Sequence, residues 1–219
     1  MNLTIVDSVI LMSVSTVTTM VFVQVFKTVL NSILIGKFDA KTLFSDGDFP
    51  SSHTAILVSF NIVFWYIIYS YSINNPTVNM FACVLIGLVL ALWSCYEIRD
   101  AMGVRLRVQE HAYAIKQIAL SSRDMSDKLD QLHLVDDAVN SKALEEEIDD
   151  LLSNLKLKAG HLPHEVLGGI VAGGFIGCMF ISAADNNLKI LALICAMFVA
   201  YVSLTILIFI RKRKKNDKT

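Results

Sequence analysis

Five apolar stretches, each close to the thickness of a bilayer's hydrocarbon core, leave this chain few ways to fold. They run Ser8 to Phe26, Thr54 to Tyr71, Val78 to Tyr96, Val166 to Ala183 and Leu188 to Ile210. About 20 mostly apolar residues cross a membrane as a helix, and within lipid only helices and closed barrels satisfy every backbone polar group. Only 18% of the 219 residues are charged and 54% are hydrophobic, whereas roughly a quarter of a soluble protein is charged. The expectation is an all-α, polytopic membrane bundle of about five transmembrane helices. It forms a single membrane domain over 1–219, with a cytoplasmic helical insert at 120–158 and a basic tail at 211–219. The first stretch stays apolar from Lys27 to Ile35, too long for one untilted span, which predicts a break or interfacial turn after Lys27. No basic region or small-residue cleavage site marks that stretch as a signal peptide, so it reads as a retained span.

Basic flanks mark the cytoplasmic side of a membrane, and the last stretch is followed by Arg211-Lys212-Arg213-Lys214-Lys215. Counting back through five spans puts the N-terminus outside, and the C-terminus, 36–53 and 97–165 on the cytoplasmic side. The two loops left outside, Ser72 to Thr77 and Ala184 to Asn187, contain no Lys or Arg. The tail is the one dense basic cluster, which argues against nucleic-acid binding; such a run is a topology signal or an anionic-lipid contact. Cys83, Cys95, Cys178 and Cys195 all fall inside apolar stretches and read as small packing residues. Between Arg123 and Leu157, apolar residues recur at spacings of three and four among Asp, Glu and Lys, the pattern of an amphipathic surface helix or hairpin. Its acidic run, Glu145 to Asp150, reads first as a solvated face. Homo-oligomer or protein-partner docking through it is the alternative.

Two polar tracts open apolar stretches on the same predicted side. In Asp48-Phe49-Pro50-Ser51-Ser52-His53, a serine can cap the second span and His53 sits in its first turn. In Gly160-His161-Leu162-Pro163-His164-Glu165, proline and glutamate suit a first turn, and His161 precedes it. A carboxylate four residues from a histidine can reach its ring nitrogen and fix the tautomer. Helix N-termini carry unpaired N–H groups and the positive dipole end, so two of them bearing imidazoles suit a phosphate. Lys27 is a cation in apolar surroundings, either an interfacial anchor or a functional group. Arg105, after the turn that Gly103 allows, carries the planar donor fork that suits phosphate.

Together, the Pro50-Ser51-Ser52-His53 tract, Asp100-Ala101-Met102-Gly103-Val104-Arg105 and Gly160-His161-Leu162-Pro163-His164-Glu165-Val166 resemble the divergent branch of the type 2 phosphatidic acid phosphatase superfamily. That superfamily also includes vanadium-dependent haloperoxidases. The resemblance extends from about Lys27 to Gly177 and takes in Gly168, Gly169, Gly173 and Gly174. It implies a helical membrane fold with a phosphate site at helix ends, acting on a lipid phosphate monoester without metal or cofactor. Carried over, His161 is the nucleophile that forms a phosphohistidine, Glu165 orients it, and His53 protonates the departing alkoxide. Lys27, Ser51, Ser52, Arg105 and Lys158 are the candidate phosphate-binding residues.

The chain departs from the wider superfamily at two places. Asn154 and Leu155 stand where a Ser-Arg pair precedes the nucleophile, and Asp46-Gly47-Asp48-Phe49 stands where the divergent branch has Ser-Gly-Gly-Met. These departures keep a second reading open, a non-catalytic protein of the same fold that binds anionic lipid or a protein partner. A transporter or assembly subunit ranks third, because no span carries an acidic relay.

Overall fold

In the computed structural model, residues 4–38, 48–74, 79–131 and 161–216 are described. Six helices appear among them, and no strand: α1 (Ile5–Ile35), α2 (Ser52–Asn74), α3 (Met80–Met102), α4 (Val104–Gln131), α5 (Pro163–Ala184) and α6 (Leu188–Asn216). All but α4 contain a segment long and apolar enough to cross a membrane. The chain divides into two compact units, 1–102 with 161–219, and 103–160. The five apolar helices belong to the first; α4 belongs to the second. Past Gln131, the expected insert lies outside the described residues.

Local chemistry sets the helix ends. Thr4 caps α1, accepting from Asp7 N, while the Asp7 carboxylate receives Thr4 N, both at 3.1 Å. Asn79 and Asn187 cap α3 and α6 through their side-chain oxygens. Pro163 opens α5 where a missing N–H costs nothing.

The break expected after Lys27 is absent: α1 runs unbroken for 31 residues, to Gly36 in the left-handed conformation, whose N–H bonds Ser32 O at 2.9 Å. Two facts explain the difference. The Lys27 side chain is buried, and its Nζ donates to Ser52 Oγ on α2 at 3.4 Å, so the ammonium has no need to reach the interface. The hydroxyls of Thr28 and Ser32 return to the carbonyls of Gln24 and Thr28, which keeps polar groups satisfied within the helix. The helix is about 46 Å long, so a tilt or an emergent last turn accommodates it. The last helix is likewise longer than its apolar stretch and carries the basic tail to Asn216.

Packing centres on α2, which meets α1, α3 and α5; α5 also meets α1 and α6. Helices in lipid gain no hydrophobic drive from one another, and close approach through small residues replaces it. Gly169, Gly173 and Gly177 of α5 line up against Ser51, Ala55 and Ser59 of α2. A Cβ on Gly169 would lie 2.5 Å from Ser51 O, and one on Gly173 would overlap the Ala55 backbone. The Thr19 hydroxyl of α1 is hydrogen-bonded to that of Ser59 at 3.0 Å. Deeper in, Val23, Ala55 and Ala172 form a fully buried core flanked by Phe22 and Tyr201.

Candidate phosphate site at two helix N-termini

The close α2–α5 contact brings the first turns of both helices together at one end of the bundle. Ser51 is the N-cap of α2: its Oγ accepts from Thr54 Oγ1 at 3.0 Å and its carbonyl receives Ala55 N at 3.1 Å. Its own N–H crosses to the carbonyl of Glu165, 2.9 Å away in the first turn of α5. The loop carrying His161 is tied in turn to α3, where His161 N donates to Ala101 O at 3.0 Å. Three helix ends are thus joined by backbone hydrogen bonds.

On that frame stand the side chains. His161 is 3% exposed and Glu165 7%. Glu165 Oε2 lies 3.2 Å from His161 Nδ1 and also receives Leu162 N at 3.0 Å. An ionised carboxylate only accepts, so the contact assigns a proton to Nδ1; in the neutral imidazole Nε2 then carries the lone pair. Leucine has no acceptor of its own, and the glutamate reaching back takes over part of the N-terminal capping. His53, exposed in the first turn of α2, holds its ring 6.1 Å from that of His161, tilted by 58°. Packed helix axes are 8–10 Å apart, so no helix separates the rings. Beneath them are Ser52 and Lys27, the latter 1% exposed. Helix N-termini favour anions, and two of them meet here beside the buried Lys27, with the Glu165 carboxylate in the same corner.

Of the residues singled out in the sequence, Lys27, Ser51, Ser52, His53, His161 and Glu165 come together here. Ser51 uses its hydroxyl in the cap, whereas the Ser52 hydroxyl faces Lys27. The Arg105 side chain, Lys158, Asp46, Asn154 and Leu155 lie outside the described residues. Asp48 takes a left-handed conformation with φ 70° beside a cis Phe49–Pro50 peptide. Among the described residues, no three His, Cys, Asp or Glu side chains converge as metal ligands.

Sequence reasoning missed Phe49. Its ring stacks on His164 at 6.3 Å and meets Phe209 of α6 at 5.8 Å. A Cβ on Gly168 would overlap that ring, so glycine there admits the aromatic wedge. Tyr201 of α6 donates to the Gly168 carbonyl at 3.2 Å, tying α6 to α5 at the same residue. The glycine was visible in the sequence, but its partner was not.

The fold and this corner define a class: a multi-pass helical membrane protein in which two histidines meet at one end of the bundle. Residues 7–176 match the Divergent PAP2 family, and the chain belongs to that family. No curated protein and no solved structure matches it.

Proposed function

We propose that the protein is a lipid phosphate phosphatase working through a phosphohistidine, with its site on the cytoplasmic face. The observation that carries the reading is the buried His161–Glu165 pair beside exposed His53 and buried Lys27. His161 Nε2 attacks phosphorus, forming an N–P bond as the ester P–O bond breaks. His53 gives its proton to the departing alkoxide, which leaves as an alcohol. Water then attacks phosphorus, His53 takes its proton, the N–P bond breaks and inorganic phosphate departs. Lys27, Ser52 and the two helix N-termini offset the charge on the phosphoryl oxygens, which is the larger part of such catalysis. Arg105 and Lys158 are the further basic candidates.

Leu162 and Leu167 stand exposed beside this corner, which favours an ester whose alcohol is a lipid. A phosphatidate, a phosphatidylglycerol phosphate or a polyprenyl phosphate fits that chemistry. The test is phosphate release from a mixture of these by protein purified in detergent, in the presence of a chelator. Wild type should turn over and His161→Ala should not, nor should it form a phosphoenzyme. His53→Ala should still form phosphoenzyme from esters with good leaving groups, which need little protonation. Turnover by His161→Ala overturns the mechanism.

Asn154 and Leu155, in place of a Ser-Arg pair, favour one rival, a non-catalytic protein that binds anionic lipid at the same corner. Wild type that binds vanadate but releases no phosphate from any of these lipids would favour the rival.

A further inference from the structure

At the end of the bundle that carries the two histidines, α6 does not stop where its apolar sequence does. It continues as helix past Ile210 through Arg211, Lys212, Arg213 and Lys214. Arg213 ties this extension back to the bundle, its Nη1 donating to the Ile33 carbonyl at 3.3 Å, in the last turn of α1, where carbonyls lack intrahelical partners. That turn also bears the negative dipole end and has no basic residue of its own. Gly36 leaves the room, since a Cβ there would come within 2.7 Å of the guanidinium.

This contact fixes the rotation of the basic turn. At 3.6 residues per turn, Arg211 then points about 160° away from α1, with Lys212 and Lys214 on the flanks. All three are exposed, and among the described residues none makes a hydrogen bond or ion pair. Their depth is equally defined. With the apolar part of α6 taken as the membrane span that its length and composition suit, these residues follow Ile210 by about 1.5 to 6 Å along the axis. The polar layer on each side of a bilayer is about 5–7 Å thick. Three like charges crowded on one helical turn repel unless countercharge is present, and the helix dipole supplies only a fraction of one charge.

We propose that this turn of α6 is a binding site for anionic lipid headgroups in the leaflet that the two histidines face. Arg213 is its anchor on α1, and Arg211, Lys212 and Lys214 are the lipid-facing charges. The turn adjoins the histidine corner, where Phe209 meets Phe49, but its three charges follow that contact by about 3 to 7.5 Å along α6. It holds whether or not the protein is a phosphatase.

The experiment reconstitutes the full chain in phosphatidylcholine bilayers with spin-labelled phosphatidylglycerol or phosphatidylcholine. It reads the relative association of each probe from its motionally restricted fraction. Wild type should prefer phosphatidylglycerol several-fold at low salt, and the preference should fade at about 1 M salt, where the Debye length is about 3 Å. Arg211→Gln, Lys212→Gln and Lys214→Gln combined should lose most of it, each basic residue contributing up to roughly five-fold. Arg213 stays in place, and an unchanged unfolding midpoint in detergent shows that the triple variant is folded. Equal preference in wild type and triple variant overturns the proposal. Should the triple variant not fold, a wild-type preference that survives 1 M salt overturns it instead.

Discussion

Replacing Glu165 by Gln and, separately, by Ala should yield proteins that fail in different ways. Oε2 alone receives both Leu162 N, at 3.0 Å, and His161 Nδ1, at 3.2 Å. In the glutamine variant the amide oxygen can occupy that place, so both contacts and the imidazole tautomer persist and only the charge is lost. Alanine removes the acceptor. The His161 ring is 3% exposed, so its Nδ1–H is left without partner or water, at about 1–3 kcal/mol. Leu162 N is only part-buried and should add about 1 kcal/mol. A total of about 2–4 kcal/mol lowers the unfolding midpoint of a protein this size by roughly 5–15 °C. The glutamine variant should unfold within a few degrees of wild type. Its phosphoenzyme formation should nevertheless slow by roughly 5- to 15-fold, the worth of a hydrogen bond to a charged rather than a neutral group. Thermal unfolding in detergent, paired with trapping of labelled phosphoenzyme, reads both effects. If alanine unfolds at the same temperature as glutamine, the Oε2 bridge does not support the site. If glutamine reacts at the wild-type rate, the carboxylate charge has no part in the chemistry.

Lys27→Met removes a buried cation from the corner and should weaken vanadate binding about tenfold or more by titration calorimetry; unchanged affinity would put Lys27 outside the site. Gly173→Leu drives a side chain into the Ala55 backbone and should cost about 1–3 kcal/mol or more. Gly174, whose Cβ would meet nothing within 4 Å, should instead gain about 0.5–1 kcal/mol on replacement by alanine; equal effects at the two glycines would refute the close-packing account. In a cysteine-free background, a cysteine at Asn75 should label only from outside and one at Lys214 only from the cytoplasm. The reverse pattern would invert the proposed topology.

The spans were legible because length and apolarity alone decide them, and the two histidine tracts because helix-start chemistry is local. Proline with serine in one tract, and proline with glutamate in the other, announce an N-terminus wherever it packs. The continuity of α1 was not legible. Lys27 looks like an anchor in sequence, and its burial becomes tolerable through contacts that the fold supplies, among them a serine 25 positions away. Gly36, the true stop, was in plain sight, but the length of the stretch argued for a break before it. The four-residue spacing of Gly169, Gly173 and Gly177 was likewise present, yet spacing does not say which helix it meets.

The bonds that unite the site explain why the remainder escapes sequence reading. Ser51 to Glu165 and His161 to Ala101 are joined main chain to main chain, and any residue but proline offers the same N–H. Side-chain identity therefore marks the groups that meet the phosphate and the glycines that permit approach, but leaves the frame itself silent. Ala101 gives the site only a carbonyl, yet it is 3% exposed, so its side chain is constrained by volume and not by chemistry. Small apolar residues should be accepted there with the His161 contact intact, whereas a bulky one would move the end of α3 and, through that hydrogen bond, the loop that carries the histidine.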